Sequence, residues 1–254
     1  MNYFEPKSAA ERYAKGRPYF HPQVISRVKS HLSLTNPVSR AIDVGCGTGL
    51  STVALKEIAQ QIVGVDMSAR MIALAPRDPQ IEYFVSPAEN LPVRDNDFDL
   101  MTVSSAFHWI DRGRFFAGAR RVLRPQAWLI VYNNSFFKQM QENAEFQGWF
   151  QEHFIAKYPS PPRAQTGFGA EDSEKEGFHF AAQEEYQNLV KFSVETLVDY
   201  LVTQSNVIAA VEGGSERIEN VRQWLMENIS PFFGSRIEAN FIFGGPIWYL
   251  RKAS

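Results

Sequence analysis

Cysteine is almost absent, since Cys46 is the only one in 254 residues. An intrachain disulfide is therefore impossible, and a cysteine-based metal cluster would need other ligands. Long apolar runs are missing too. No stretch approaches the roughly 18 apolar residues of a spanning helix, and the first twenty residues, MNYFEPKSAAERYAKGRPYF, mix charges of both signs without an apolar signal core. Neither sign of charge is in excess. Lys and Arg number 26 against 28 Asp and Glu, a net charge of -2, so no global basic surface exists to neutralise phosphates or hold an anionic membrane. His21, His31 and His179 fall at no metal-ligand spacing. These absences predict a soluble, cytoplasmic protein with no metal, no nucleic-acid partner and no membrane partner; the expected assembly is a monomer or homodimer, which the sequence does not itself disclose.

What is present reads as a globular chain with 44% hydrophobic and 21% charged residues, long enough to bury one enlarged core. From residue 40 to about 133, apolar runs alternate with helical periodicity, the pattern of βαβ units around a parallel sheet. AIDVG, QIVGVD, IEYFV, FDLMTVSS and AWLIVY are the successive strands. Ser68 caps a short helix that stops before Pro76, and Asp111 caps a helix with Phe115, Phe116, Ala119, Val122 and Leu123 on one face, ended by Pro125.

After Tyr132 the alternation breaks down. Phe146, Trp149, Phe150, His153 and Phe154 form one helical stripe, which predicts a packed His153, and a Pro- and Gly-rich loop follows over residues 158–177. A strand around EYQNLVKFS, two amphipathic helices and a closing strand interrupted by Gly244-Gly245-Pro246 complete the chain. The expected division is an N-terminal arm at 1–36 covering the ligand site, a core at 37–133, a cap at 134–238 that includes one late core strand, and a closing strand at 239–254.

The chemistry-bearing stretch is AIDVGCGTGL at 41–50, with Gly45, Gly47 and Gly49 directly after the first strand and its acid, Asp43. In open α/β sheets that strand-to-helix turn lies at the ligand crevice, and glycine there allows positive φ and lets a ligand rest on bare backbone. The dinucleotide fingerprint G-x-G-x-x-G/A fails in both registers, ending on Leu50 or Thr52, and no Gly-Lys-Ser/Thr follows for a triphosphate loop. Asp66 ends the second strand about twenty residues on, where a carboxylate meets ribose hydroxyls. Together they point to a nucleoside with a short polar tail.

AIDVGCGTG, VGVDMSARMI, SPAENLPVRDNDFDLMTVSSAFHWID and RRVLRPQAWLIV, in this order, resemble the successive motifs of class I S-adenosylmethionine-dependent methyltransferases. SSAFHWID and RYAKGRPYFHP are most similar to the small-molecule branch containing trans-aconitate methyltransferase. The resemblance implies an α/β fold, a Rossmann-like doubly wound seven-stranded sheet, mostly parallel with a final antiparallel strand, plus a helical cap insertion. It implies S-adenosyl-L-methionine as cofactor. Asp43, Gly45, Cys46, Gly47 and Gly49 would shape the pocket for its methionine tail, Asp66 would hold the ribose, Met67 would pack beside the adenosine, Ala88 and Glu89 would meet the adenine, and Ser104 would face the sulfonium. The family pattern is departed from at Pro87, where many relatives have Asp, and at Gln126-Ala127, where Gly-Gly is usual.

Other candidates rest on position. His108, at the end of the fourth strand, reads as a base or substrate orienter and Trp109 as its partner; Phe107 or Trp109 could stack on a cationic sulfur. Arg17, flanked by Tyr13 and Tyr19, is placed to reach a carboxylate of cofactor or substrate. Arg112, Arg114, Arg120, Arg121 and Arg124 read as the solvated face of an amphipathic helix. The expected activity is methyl transfer to a small-molecule acceptor, at an oxygen of a carboxylate or hydroxyl; N- or C-methylation and a non-catalytic cofactor-binding protein are the alternatives.

Overall fold

The computed structural model describes residues 6–160 and 167–253. Along the chain the elements are α1 (Lys7–Gly16), α2 (His21–His31), β1 (Val38–Val44), α3 (Leu50–Ala54), β2 (Ala59–Asp66), α4 (Ala69–Ile72), β3 (Ile81–Val85), β4 (Phe98–Ser104), α5 (Arg112–Val122), β5 (Leu123–Tyr132) and β6 (Ser135–Met140). Next come α6 (Glu145–Trp149), a π-turn over Phe150–Phe154, α7 (Ile155–Lys157), α8 (Ala170–Lys175), β7 (Phe178–Phe192), α9 (Val194–Leu201), α10 (Ser205–Glu212), α11 (Ile218–Phe233) and β8 (Ala239–Lys252). No helix among the described residues is long and apolar enough to cross a membrane.

The chain divides into two compact units. The sheet unit comprises residues 19–134, 163–186 and 245–254, and the second unit comprises residues 1–18, 135–162 and 187–244. In the sheet unit the strand order is β3-β2-β1-β4-β5-β8. The first five are parallel and β8 runs antiparallel to β5, with Trp128 opposite Arg251 and Tyr132 opposite Ile247. One face buries Phe98, Met101, Val103 and Leu129 against Phe115, Phe116 and Ala119 of α5; the other buries Ala41, Leu100 and Ile130 against Val24, Ile25 and Val28 of α2 and Leu55. The second unit has a core of its own, in which Phe146, Phe150 and Phe154 pack with Leu197, Leu225 and Phe241.

Several expectations are corrected. Among the described residues the sheet has eight strands where seven were expected. The extra one is β6, SFFKQM, which pairs with the first half of β8 through Ser135 opposite Gly244 and Met140 opposite Phe241; its exposed positions alternate too weakly for sequence periodicity to separate it from loop. The closing strand runs on through Gly244-Gly245-Pro246, because Gly245 takes φ +157 and leaves room for the Asn133 carbonyl, which would lie 2.9 Å from a Cβ there. α5 ends at Val122, not at Pro125; Leu123 already pairs with Phe98, and Pro125 sits where the register between β4 and β5 shifts, a place that tolerates a missing donor. His153 is exposed. The π-turn widens the helix there, so the residue three beyond Phe150 leaves the apolar stripe while Phe154, four beyond, stays on it. Residues 161–166 of the expected loop lie outside the described residues, and α8 occupies part of the remainder.

Arg112, Arg120 and Arg121 of α5, with Arg124 at the start of β5, are also more than a solvated face. Arg121 donates to the carbonyls of Leu91 and Val93 at 2.7 and 2.8 Å, Arg120 donates to Glu176, and Arg124 donates to the Asn96 carbonyl and to Asp99. Arg112 donates to the Gly167 carbonyl, with its guanidinium carbon 5.0 Å from the Phe107 ring centre. The helix thereby ties down the loops that flank it.

Asp43, wholly buried in β1, joins the sheet to the helix that follows the glycine turn. One carboxylate oxygen accepts from Ser51 and Thr52 of α3 at 2.6 and 2.8 Å, and the other accepts from Thr102 of β4 at 2.8 Å. Burial outweighs these three hydroxyls and lifts its pKa from the ordinary 3.8 to about 6. A folded-state pKa above the unfolded one means that folding takes up a proton in that window, so stability falls as the pH rises through it. Relative to an Asp43→Asn variant, the wild-type protein should lose about 2 kcal/mol of unfolding free energy between pH 4 and pH 7, taking 1.36 kcal/mol per unit. Urea unfolding curves of the two proteins across that range check this, and parallel pH profiles would refute the raised pKa.

Candidate active site

The site is built at the carboxyl ends of β1, β2 and β4. Where β1 ends, the amides of Gly45 and Cys46 both donate to the Val65 carbonyl, at 2.8 and 3.1 Å, which folds the glycine turn against β2. Gly45, Gly47 and Gly49 take φ values of +71, +55 and +81, a region costly for residues with a Cβ. Two of them are required by close approach within the protein. A Cβ at Gly45 would lie 2.5 Å from the Ala106 Cβ, and one at Gly49 would lie 2.5 Å from the Tyr83 hydroxyl. Gly47 differs, because the tip of Met71, at 3.2 Å, is all that a Cβ there would meet within 4 Å. Its bareness is thus not demanded by packing, and it suits a ligand lying on the backbone.

Asp66 ends β2 beside that turn. Its Oδ2 accepts from the Gly47 amide at 2.9 Å and its Oδ1 accepts from the Ser68 amide at 2.8 Å. Both oxygens are oriented by backbone donors. Ser68 in turn caps α4, its Oγ accepting from the Met71 amide at 3.3 Å. The exposed Met67 side chain stands between them at 57% exposure, available as an apolar wall. Cys46 is buried, and burial, with Asp43 and Asp66 nearby, pushes its thiol well above its ordinary pKa; it fills space and is not a nucleophile.

The loop after β3 reaches the same edge, since the Ser86 amide donates to the Asp66 carbonyl at 2.9 Å. Ala88 and Glu89 follow, both half-buried. Glu89 Oε1 accepts from the Asp111 amide at 2.8 Å, and Asp111 caps α5 by accepting from the Arg114 amide at 3.2 Å. The turn expected to meet an adenine is therefore indexed to the helix after β4. At the end of β4, Ser104 is 9% exposed and stands opposite Tyr132 of β5. The tight turn Phe107–Trp109 comes next, with His108 and Trp109 half-buried and their ring centres 4.8 Å apart. Phe107 points into the core against Phe115, Phe116 and Trp248, which leaves Trp109 alone of the two aromatic candidates for a cationic sulfur.

Arg17 belongs to the second unit. Its Nη2 donates to the Thr203 carbonyl at 3.1 Å, and its guanidinium carbon lies 4.6 and 5.4 Å from the ring centres of Tyr13 and Tyr200. The other candidates, from Asp43 to Trp109, all fall in the sheet unit. No group of three or more His, Cys, Asp or Glu residues among the described residues is placed to hold a metal ion.

Three residues carry functions that the sequence reading passed over. Tyr83 of β3 fills the space left by Gly49 and Gly64, where a Cβ would lie 2.5 Å from its hydroxyl and 2.6 Å from its ring respectively. Thr102 completes the shell of Asp43. His21 opens α2 with its Nδ1 3.0 Å from the Tyr132 hydroxyl, and burial pushes the imidazole down to about 3, so it is neutral at working pH. Only the Gly64-to-Tyr83 spacing had a sequence signal, a glycine inside an otherwise β-branched strand.

Comparison with known proteins agrees with this geometry. Residues 42–131 match the methyltransferase domain family. An uncharacterized methyltransferase of Mycobacterium tuberculosis is 28% identical over 223 residues, spanning 86% of this chain and 84% of its own. A protein of Anaeromyxobacter dehalogenans assigned as a type II methyltransferase has the same fold, with a TM-score of 0.67 and 21% identity over 92% of this chain and 97% of its own. Phosphoethanolamine N-methyltransferase 2 of Haemonchus contortus, in complex with S-adenosyl-L-methionine, shares the fold at a TM-score of 0.56 and 16% identity, covering 99% of this chain and 58% of that one. The bare backbone of Gly47 and the pre-oriented carboxylate of Asp66 fit an adenosyl cofactor, and residues 42–131 form a methyltransferase domain.

Proposed function

We propose that this enzyme methylates a small molecule at an oxygen, that of a carboxylate or a hydroxyl, and that the acceptor is met by the turn after β4. The observation that carries this reading is the approach of Gly45 to Ala106, with 2.5 Å between Cβ positions. It brings the segment that leads into the Phe107–Trp109 turn against the glycine turn, which supports an acceptor site beside His108 and Trp109. The net charge of -2 favours a small acceptor over a nucleic acid.

S-adenosyl-L-methionine supplies a methyl group activated by its sulfonium. The chain's own residues hold and orient. Asp66, its carboxylate oriented by the Gly47 and Ser68 amides, receives the ribose hydroxyls, Met67 lines the adenosine, and the Ala88–Glu89 turn meets the adenine edge. Gly47 offers its bare backbone to the methionine tail, with Asp43, Gly45, Cys46 and Gly49 shaping the turn and Ser104 closing it from β4. Displacement at the methyl carbon needs the nucleophile in line, and positioning of that kind is worth on the order of 7–11 kcal/mol. Trp109 offers a ring face to positive charge, worth roughly 0.5–2 kcal/mol. His108 takes the acceptor's proton when there is one to take. A carboxylate, with a pKa near 4, is already a nucleophile, whereas a hydroxyl must lose its proton first.

Two measurements test this. Saturating S-adenosylmethionine or its demethylated product at about a hundred times Kd should add about 2.7 kcal/mol to stability, a rise of roughly 5–10 °C in Tm, while NAD leaves it unchanged. Asp66→Ala and Gly47→Ala should lose that rise; a rise with NAD alone would sink the cofactor assignment. The His108→Ala variant should lose about 10²–10⁴ in kcat on a hydroxyl acceptor and stay near the wild-type rate on a carboxylate. Unchanged turnover of a hydroxyl acceptor would remove His108 as the base.

A further inference from the structure

Asn134 lies two residues beyond β5, at the carboxyl end of the sheet. One end of its side-chain amide is pinned. The Tyr186 hydroxyl shares its single proton between the Asn133 carbonyl at 2.9 Å and Asn134 Oδ1 at 3.2 Å, and Tyr186 is itself 4% exposed in the same unit. The other end is not. Asn134 Nδ2 is buried and donates to no atom among the described residues. Buried amide donors in folded proteins are nearly always paired, because an unpaired one has forfeited its bonds to water and gained none in return. A donor in this condition, on an amide whose orientation is fixed from behind, points to an oxygen brought in by another molecule.

Its place in the sheet says which molecule. The strand order β2-β1-β4-β5 puts the end of β5 beyond β4, away from the glycine turn and Asp66 on β1 and β2. The Ser105 amide donates to the Tyr132 carbonyl at 2.9 Å, which joins the end of β5 to the start of the segment carrying His108 and Trp109. Asn134 thus neighbours the acceptor side of the crevice. Tyr132, held protonated by burial, and the neutral His21 lie at this end of the sheet.

We propose that Asn134 is a specificity-determining residue for the methyl acceptor, donating through Nδ2 to a carboxylate or carbonyl oxygen of that molecule, and that Tyr186 is the positioning residue that fixes the amide. The assignment rests on the acceptor reading proposed above. It deepens that reading, because the acceptor then carries an oxygen that accepts a hydrogen bond, whether that oxygen or a neighbouring one receives the methyl.

The test uses the full chain saturated with S-adenosylhomocysteine and follows thermal unfolding with matched sets of small ligands: aliphatic and aromatic mono-, di- and tricarboxylates, and the corresponding primary alcohols and amines. At least one carboxylate should raise Tm where its alcohol and amine do not. Asn134→Leu and Asn134→Asp should each weaken that ligand roughly 10- to 100-fold, the loss of one hydrogen bond to a charged group, with the S-adenosylhomocysteine shift unchanged. Tyr186→Phe should weaken it by a smaller factor, and with a turned-over acid the loss should appear in KM, not in kcat. Carboxylate binding that survives Asn134→Asp would overturn the proposal, as would a parallel loss of S-adenosylhomocysteine binding, which would move Asn134 to the cofactor, or a panel in which no acid stabilises the complex. A wild-type protein that fails to respond to S-adenosylhomocysteine at all would instead remove the methyltransferase site reading, and this assignment with it.

Discussion

The working edge of the sheet hangs on a carboxylate that never meets water. Asp43 is enclosed in β1, and its two oxygens gather hydroxyls from α3 on one side and β4 on the other. This binds three separate elements at the one level where the glycine turn leaves the sheet. A buried charge is expensive, and here part of that cost is returned by three short hydrogen bonds. The consequence is local rigidity. With Ser51 and Thr52 fixed, α3 starts in register with the turn, the glycines keep their left-handed backbone, and the Gly47 amide is presented to Asp66 at 2.9 Å. Asp43 thereby holds the backbone of the glycine turn in place.

The second acid does the opposite job. Asp66 is partly open to solvent, and its oxygens take backbone donors from both flanks. The two carboxylates share a sheet end and differ in what surrounds them, so one is consumed by the protein and the other is oriented by it. The same division recurs among the glycines, where Gly45 and Gly49 answer to Ala106 and Tyr83 while Gly47 does not. It recurs along β4 and β5 as well. Thr102 is spent on Asp43, whereas the end of β5 keeps an amide donor at Asn134 that the described chain leaves unused.

Much of this edge was legible in the sequence because short-range patterns encode it. The five strand segments from AIDVG to AWLIVY, the caps at Ser68 and Asp111, and the spacing from the glycine turn to Asp66 each depend on residues close in the chain. What sequence could not supply depends on partners far apart in number. Tyr186 reaches the end of β5 from 52 positions away, and His21 meets Tyr132 from 111. β6 was missed for a different reason, since a six-residue edge segment whose register shifts between Phe136 and Gln139 leaves no clean alternation to read. His153 was misplaced because periodicity assumes 3.6 residues per turn, and the π-turn breaks that assumption where it was applied.

The arginines of α5 give this arrangement an unexpected scale of length. Arg121 measures the loop after β3 by gripping the carbonyls of Leu91 and Val93, Asp111 at the head of the same helix takes the carboxylate of Glu89 on its amide, and Arg124, just past the helix, grips the Asn96 carbonyl. The helix is a ruler laid beside a loop, with marks at both ends. A loop gauged this way has little freedom to lengthen or shorten by one residue, although loops in general tolerate such changes well. The variation that tunes this enzyme to its acceptor would accordingly be expected to spare the segment from Ser86 to Asn96, and to gather where the chain is not measured against anything.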